Sequence, residues 1–292
     1  MSVLNEHKDN GSTQTGIAFL FPGQGSQYPG MGKNLAENSV AARGVFAEAD
    51  EALGFSISRM CFEGSAEELQ LTENTQPAIL TVSIAALRAL ESQVKVRPAF
   101  VAGHSLGEYA ANVAAGSLTL ADAVRTVRRR GRYMQEAVPV GTGAMAAVLG
   151  AELGVIEEIC KQASNGQVCS PANINSPNQV VIAGDSAAVD RATELLQGVA
   201  KKVVQLIVSA PFHCGLMMPA QERLSVDLHS LNFCDPEIPI VTNVGATSAG
   251  TSSEVRDALV AQVAAPVRWL ESMQFLLRTG VNTVVEIGPG KV

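Results

Sequence analysis

The chain has 292 residues, 47% of them hydrophobic and 17% charged, an ordinary globular composition with length enough for one large core or two unequal ones. A net charge of -7 argues against a general nucleic-acid role, and no apolar run approaches the length needed to span a membrane. Five cysteines (Cys61, Cys160, Cys169, Cys214, Cys234) form no C-x-x-C pair, which fits a reducing cytoplasmic setting better than a disulfide framework or a zinc site.

Residues 1–15 are polar and lack an apolar run; they read as a disordered leader, not as a signal or transit peptide. Ile17–Phe21 is a continuous apolar run, as expected of a buried parallel strand. The Gly-rich loop Pro22–Gln27 follows. It is not G-x-G-x-x-G and no G-K-[ST] comes after it, so a nucleotide cradle fits poorly. A plain turn is one reading; a loop that aims a backbone N–H at a neighbouring site fits better.

Residues 34–71 read as acidic helical segments broken at Gly54 and Gly64. Asn74-Thr-Gln-Pro77 then opens a long apolar helix from Ala78 to about Leu90, with Thr75 and the proline as start signals. Gln76 reads as a capping or packing residue, with a place in a site as the alternative. Phe100 and Val101 end a short apolar strand and Tyr109 begins a helix. Between them Gly103-His-Ser105-Leu-Gly107 is a G-x-S-x-G turn. Its glycines permit a sharp bend that exposes the Ser105 hydroxyl at a helix N-terminus. An ordinary turn serine is the bland reading; the strand–turn–helix context favours a nucleophile. Such an elbow takes one oxyanion donor from the residue after the serine, Leu106, and needs a second, which the Gln24 loop would supply.

The helix from Leu120 to about Met134 carries Arg125, Arg128, Arg129, Arg130 and Arg132. At about 100° per residue, Val124, Val127, Gly131 and Met134 form the core stripe. Arg125, Arg129 and Arg132 turn away from it and read as a solvated face. Arg128 and Arg130 each border the stripe, so either can reach inward.

From Gly143 the pattern becomes strand Ala144–Leu149, helix Glu152–Ala163, strand Val168–Asn173, a turn at Asn175–Asn178, strand Gln179–Ala183, helix Ala187–Val199 and strand Lys202–Val208. That β-α-β-β-α-β order is ferredoxin-like and predicts a small subdomain over 139–207 inserted in a larger one, 16–138 plus 208–292. His213 follows in a loop after the last of these strands. His7 lies in the leader, His229 reads as surface helix, and His104 adjoins the serine and points away from it in a tight turn. His213 is therefore the favoured base for Ser105. Strand Ile238–Val244, helix Ser252–Val263, helix Trp269–Thr279 and strand Thr283–Ile287 complete the chain.

Ser105 and His213 would make a nucleophile–base pair and Leu106 with the Gln24 loop an oxyanion hole, which is acyl-transfer chemistry. An α/β-hydrolase would place an acid between serine and histidine in chain order. Asp122, Asp185 and Asp190 sit at helix starts, where capping is the simpler reading, so a backbone carbonyl would have to orient the histidine.

Taken together, Phe21–Gln27, Thr75–Pro77, Gly103–Glu108, Arg130–Gln135, Asn173–Pro177 with Gln179–Gly184, Pro211–His213 and Glu286–Gly290 resemble the malonyl-CoA:acyl carrier protein transacylases, and more broadly the acyltransferase domains of fatty acid and polyketide synthases. The resemblance runs from about residue 17 to 292 and implies an α/β fold, an α/β-hydrolase-like large subdomain with an inserted ferredoxin-like small one. It implies Ser105 as nucleophile, His213 as base, Gln24 and Leu106 as oxyanion donors, Arg130 and not Arg128 as the malonyl carboxylate site, Gln76 as a further substrate contact, and the Gln262 carbonyl as the group orienting His213. Phe212 resembles the malonyl-selective pattern. The partners implied are malonyl-CoA and an acyl carrier protein, with no cofactor, no metal, and a monomer as the expected state. Relatives continue past Gly288-Pro-Gly-Lys-Val292 with a short tail, an expected effect on local stability more than on catalysis. Arg125, Arg129, Arg132, Lys201 and Lys202 form either a basic landing patch for the carrier protein or scattered solvated charges. A stand-alone chain favours fatty acid over polyketide synthesis. Two other readings remain, a thioesterase and a non-catalytic acyl-CoA or carrier-protein binder; the missing acid and Arg130 argue against the first, and Ser105 with His213 against the second.

Overall fold

A computed structural model describes residues 16–139 and 141–290, and the leader expected over 1–15 lies outside the described residues. The first half runs β1 (Ile17–Phe21), α1 (Lys33–Asn38), α2 (Val40–Leu53), α3 (Ile57–Glu63), α4 (Ala66–Gln70), α5 (Thr72–Gln93), β2 (Phe100–Gly103), α6 (Gly107–Ala114) and α7 (Leu120–Glu136). Next come β3 (Gly143–Leu149), α8 (Leu153–Ser164), β4 (Cys169–Ser176), β5 (Gln179–Asp185), α9 (Ser186–Leu195) and β6 (Lys202–Gln205). The chain returns through α10 (Met218–Ser230), β7 (Ile240–Val241), β8 (Ser248–Ala249), α11 (Ser252–Ala261), α12 (Trp269–Arg278) and β9 (Thr283–Glu286).

Two sheets organise these elements. The larger has the order β8-β7-β2-β1-β9, with β1 parallel to both β2 and β9, and β2 parallel to β7. Its central strands are apolar on both faces because helices cover both, the usual state of a parallel sheet. β1 and β2 are in register to their ends, Phe21 opposite Gly103. The loop after β1 and the elbow after β2 therefore leave the sheet side by side at its carboxyl edge, where open α/β sheets build their sites.

The second sheet is antiparallel throughout, with the order β4-β5-β3-β6. Alternate residues of β3 and β5 serve different cores. Val148, Val180 and Ile182 pack beneath α8 and α9 with Ile156 and Leu196, whereas Met145, Ala147, Val181 and Ala183 join the main core. A strand with both faces buried needs no polar alternation, which is why β3 reads as an unbroken apolar run.

Most expected elements are present, with differences at their limits. The apolar helix α5 starts at Thr72, not Ala78, so Pro77 lies inside it and not in its opening turn. The start is set by Leu71, whose carbonyl accepts from the N–H groups of Asn74 and Thr75. β4 continues to Ser176, through half of the turn expected at Asn175–Asn178, and β6 stops at Gln205. The strand expected over Ile238–Val244 pairs only at Ile240–Val241. The helix expected around His229 is α10, led by a 3-10 turn at Gly215–Met217.

At Gly131, α7 lies tightly against the start of α5. A Cβ there would stand 2.6 Å from the Thr72 carbonyl oxygen and 2.8 Å from Glu73 Cα, both backbone atoms that cannot swing aside. Gly131→Ala should therefore lower stability by ~1–3 kcal/mol in urea or thermal unfolding, because overpacking outweighs the better helix propensity of alanine. A variant as stable as the parent would contradict this packing.

Candidate active site

The elbow is held by sterics and by two buried amides. Ser105 has φ +52°, a left-handed conformation that costs a non-glycine residue ~1–3 kcal/mol unless its surroundings impose it. A Cβ on Gly103 would overlap the Gly107 carbonyl, and one on Gly107 would overlap the Phe21 carbonyl oxygen, so both flanking positions require glycine. The Ser105 N–H donates to Asn243 Oδ1 at 2.7 Å, and the Ser105 carbonyl accepts from Gln262 Nε2 at 2.9 Å. Asn243 Nδ2 also donates to the Gly103 carbonyl at 2.7 Å, clamping the strand end and the serine together.

His213, also left-handed at φ +60° and buried, stands over the serine. Its Nε2 lies 2.7 Å from Ser105 Oγ and its Nδ1 2.9 Å from the Gln262 carbonyl. A carbonyl only accepts, so Nδ1 carries the proton and Nε2 is free to accept from the serine hydroxyl. Burial, then the charge of Arg130, pushes the imidazole down to about 3, against the pull of the Gln262 carbonyl. His104 is separate: its Nε2 meets Asn175 Oδ1 at 2.9 Å, and its ring packs edge-on to Trp269.

The helical stripe left Arg128 and Arg130 open, and their surroundings separate them. Arg128 stacks over the Phe55 ring, away from the serine. Arg130 is 1% exposed. Its Nη1 donates to Gln76 Oε1 at 2.8 Å, and its Nη2 donates to Gln262 Oε1 at 2.8 Å and Ser105 Oγ at 3.2 Å. Among the described residues no carboxylate lies within ion-pair distance of it. Burial works against its charge, partly countered by Tyr109 and the Glu108 carboxyl nearby, yet arginine keeps its proton in proteins, so a cation whose hydrogen-bond partners are all neutral sits beside Ser105. Such a group is built to receive an anion.

The other three arginines are ion-paired: Arg125 with Asp122 at 3.6 Å, Arg132 with Glu136 at 3.8 Å, and Arg129 with Asp227 at 3.0 Å. Asp227 belongs to α10, which half-covers Arg129, so that residue is not on an open solvated face. Lys201 and Lys202 are exposed at the start of β6.

These groups line a pocket of about 130 Å³. Ser105, His213, Arg130 and Gln76 form its polar side and Met134, Met145, Val181 and Phe212 part of its apolar side. Gln24 stands at the pocket as well, exposed, with Nε2 donating to Thr72 Oγ1 at 3.2 Å. Its loop is pressed onto the elbow at Gly23, where a Cβ would come within 2.6 Å of the His104 carbonyl oxygen. Leu106 is buried and stands at the N-cap of α6. The structure thus brings together Ser105, His213, Gln262, Arg130, Gln76 and Gln24, with Leu106 next in chain. Among the described residues no cluster of three or more His, Cys, Asp or Glu is placed to hold a metal ion, and no helix is long and apolar enough to cross a membrane.

Three contributions were not anticipated from the sequence: Asn243, the side chain of Gln262, and Glu108. Glu108 is wholly buried, and its Oε2 accepts from Asn243 N at 3.0 Å and Gln262 Nε2 at 2.8 Å. Burial pushes its carboxyl up to about 7. A glutamate in the first turn of a helix reads as a partner for the helix dipole, which hid it. Asn243 lies near the end of the expected strand Ile238–Val244, where an amide passes as an ordinary strand-end residue.

Residues 18–291 match the family model described as Acyl transferase domain. The malonyl CoA-acyl carrier protein transacylase of Escherichia coli K12 is 48% identical over 279 residues, 95% of this chain and 90% of that protein. A crystal structure of an acyl carrier protein S-malonyltransferase from Vibrio cholerae superposes with a TM-score of 0.93 at 44% identity, over 95% of this chain and 91% of that one. A malonyl-transacylase solved in complex with its type II polyketide synthase acyl-carrier protein gives 0.92 at 44% identity, covering 94% and 90%.

Two buried groups of the site, His213 and Glu108, act on stability in opposite directions. His213 ordinarily titrates at 6.5, so its contribution is lost as pH falls from 6.5 towards 3; Glu108 ordinarily titrates at 4.5, so its contribution is lost as pH rises from 4.5 towards 7. In an NMR titration the His213 ring should remain neutral and protonated on Nδ1 well below pH 6.5. An ordinary midpoint near 6.5 would contradict the environment described.

Proposed function

Because the chain belongs to the acyl transferase domain family, among the malonyl CoA-acyl carrier protein transacylases, we propose that this pocket moves a malonyl group from CoA to the pantetheine thiol of an acyl carrier protein by way of Ser105. The observation that carries the reading is one contact chain. Gln262 O, His213 and Ser105 Oγ follow one another at 2.9 and 2.7 Å, with the unpaired Arg130 guanidinium 3.2 Å from the same Oγ.

In the first half-reaction Ser105 Oγ attacks the thioester carbonyl as its proton passes to His213 Nε2. The N–H groups of Gln24 and Leu106 take the oxyanion. Collapse breaks the C–S bond, and the CoA thiolate leaves with the proton from His213. In the second half the pantetheine thiol gives its proton to His213 and attacks the malonyl ester, and Ser105 recovers its hydrogen. Each step draws on protein groups alone, with malonyl-CoA and the pantetheine thiol entering as substrates and the CoA thiol leaving as a product.

Arg130 holds the malonyl carboxylate through its planar fork, with Gln76 as a further contact through the same guanidinium. That pairing offsets the Arg130 charge, the second cause that holds His213 down, while burial, the larger one, remains. A pocket of about 130 Å³ is well below the ~300–1,000 Å³ that enclose drug-sized ligands, so the acyl group enters and the rest of CoA stays outside. Phe212 on its wall crowds a 2-methyl substituent and favours malonyl over methylmalonyl.

The fold is assigned on the same footing: an α/β-hydrolase-like subdomain (16–138 with 208–292) and a ferredoxin-like insert (139–207), supported by the two sheet orders and the separate apolar cluster under α8 and α9. A monomer is the proposed state, since Ser105, His213, Arg130 and Gln262 meet within a single chain. Fatty acid elongation is taken as the consumer of the product.

Mixed with malonyl-CoA, the protein should gain one malonyl mass that Ser105→Ala abolishes and that moves to holo acyl carrier protein on its addition. Steady release of free malonate without an acceptor would favour a thioesterase instead. His213→Ala should slow acylation by roughly 10²–10⁴-fold, the usual contribution of a general base. Near-normal acylation by a folded His213→Ala protein would remove that residue from the mechanism.

A further inference from the structure

Nucleophile, base and guanidinium share one neighbour, Gln262. Its backbone carbonyl accepts from His213, its Oε1 accepts from Arg130, and its Nε2 donates to the Ser105 carbonyl. A side-chain amide has two ends of opposite character, and which end faces which partner is decided by the hydrogen-bond network. Turned over, Gln262 would set an NH₂ against the Arg130 guanidinium, donor against donor, and an oxygen against the Ser105 carbonyl.

Glu108 decides that orientation. Its buried Oε2 accepts from Gln262 Nε2 at 2.8 Å and from the backbone N–H of Asn243 at 3.0 Å. Asn243 in turn accepts the Ser105 N–H. The other carboxyl oxygen, Oε1, has no partner among the described residues, so the side chain is spent on these two contacts. We propose that Glu108 is a positioning residue of the transfer reaction: by accepting from Gln262 and Asn243 it orients the Gln262 amide, and through it keeps Arg130 aimed at the acyl pocket and Ser105 in its left-handed turn.

The proposal rests on the malonyl-transfer reading. A purely structural role for Glu108 would slow every acyl donor by the same factor. A role through Gln262 and Arg130 changes the preference for a carboxylated donor. The test is kcat/KM for acylation by malonyl-CoA and by acetyl-CoA, measured on the full chain and on Glu108→Met, Glu108→Gln and Gln262→Met. Methionine fills the buried volume without a strong acceptor. Glutamine keeps one oxygen that accepts from both partners.

Glu108→Met should lower the malonyl-to-acetyl ratio by roughly tenfold or more, the scale of one charge-assisted hydrogen bond. Glu108→Gln should recover most of that ratio. Gln262→Met should match Glu108→Met, and the double variant should be no worse than either single one, since both remove the same link. A parent ratio in Gln262→Met, a Glu108→Gln protein as impaired as Gln262→Met, or fully additive losses would each overturn the proposal. Those comparisons decide it even where Glu108→Met does not fold. A parent protein that forms no malonyl adduct would sink the transfer reading and this proposal with it. A parent that transfers malonyl beside variants of unchanged ratio sinks the proposal alone.

Discussion

Arg130 is a guanidinium buried to 1% exposure with neutral groups for partners. Taking such a charge out of water costs several kcal/mol, which amide oxygens offset only in part. The arrangement therefore holds a strong preference for an incoming anion at the point where the serine hydroxyl lies. The same charge adds to burial, the larger cause, in holding the His213 imidazole below its ordinary range. Under the proposed reaction, one guanidinium would thus bear on both the acyl group and the base.

Everything that fixes this contact is supplied by elements that meet at one edge of the larger sheet. β1 and β2 deliver the Gln24 loop and the elbow side by side, α7 delivers Arg130 against α5, and the chain returning from the second sheet delivers His213. The end of α11 delivers Gln262, which touches His213, Arg130 and Ser105. The second sheet closes the acyl side with Met145 and Val181, the faces of β3 and β5 that turn toward the main core. Gly131 and the elbow glycines are where backbone meets backbone; they set how near these parts stand.

Much of this was legible in the sequence because it rests on local pattern. Apolar runs located β1, β3 and β5, the β-α-β-β-α-β succession located the second sheet, and G-x-S-x-G located the serine. The stripe on α7 narrowed five arginines to two, but the wheel could not choose between Arg128 and Arg130, since the choice depends on α5 and α11 across the pocket. By pattern alone Pro77 suggests a first-turn residue, whereas Leu71 caps α5 just before Thr72 and close packing against α7 carries the helix through the proline. Glu108 and Asn243 escaped for a related reason. Their function lies in partners far along the chain, and a charge at a helix start or an amide at a strand end has a sufficient local explanation.

The central claim is that the buried charge of Arg130 chooses the acyl group. The most direct measurement is competitive acylation of Ser105 by equal concentrations of malonyl-CoA and acetyl-CoA, read by intact mass in the parent protein and in Arg130→Ala. The account predicts a malonyl adduct almost alone in the parent, and in the variant a malonyl yield that collapses while acetyl acylation persists. Equal loss of both adducts in a folded Arg130→Ala protein would contradict it.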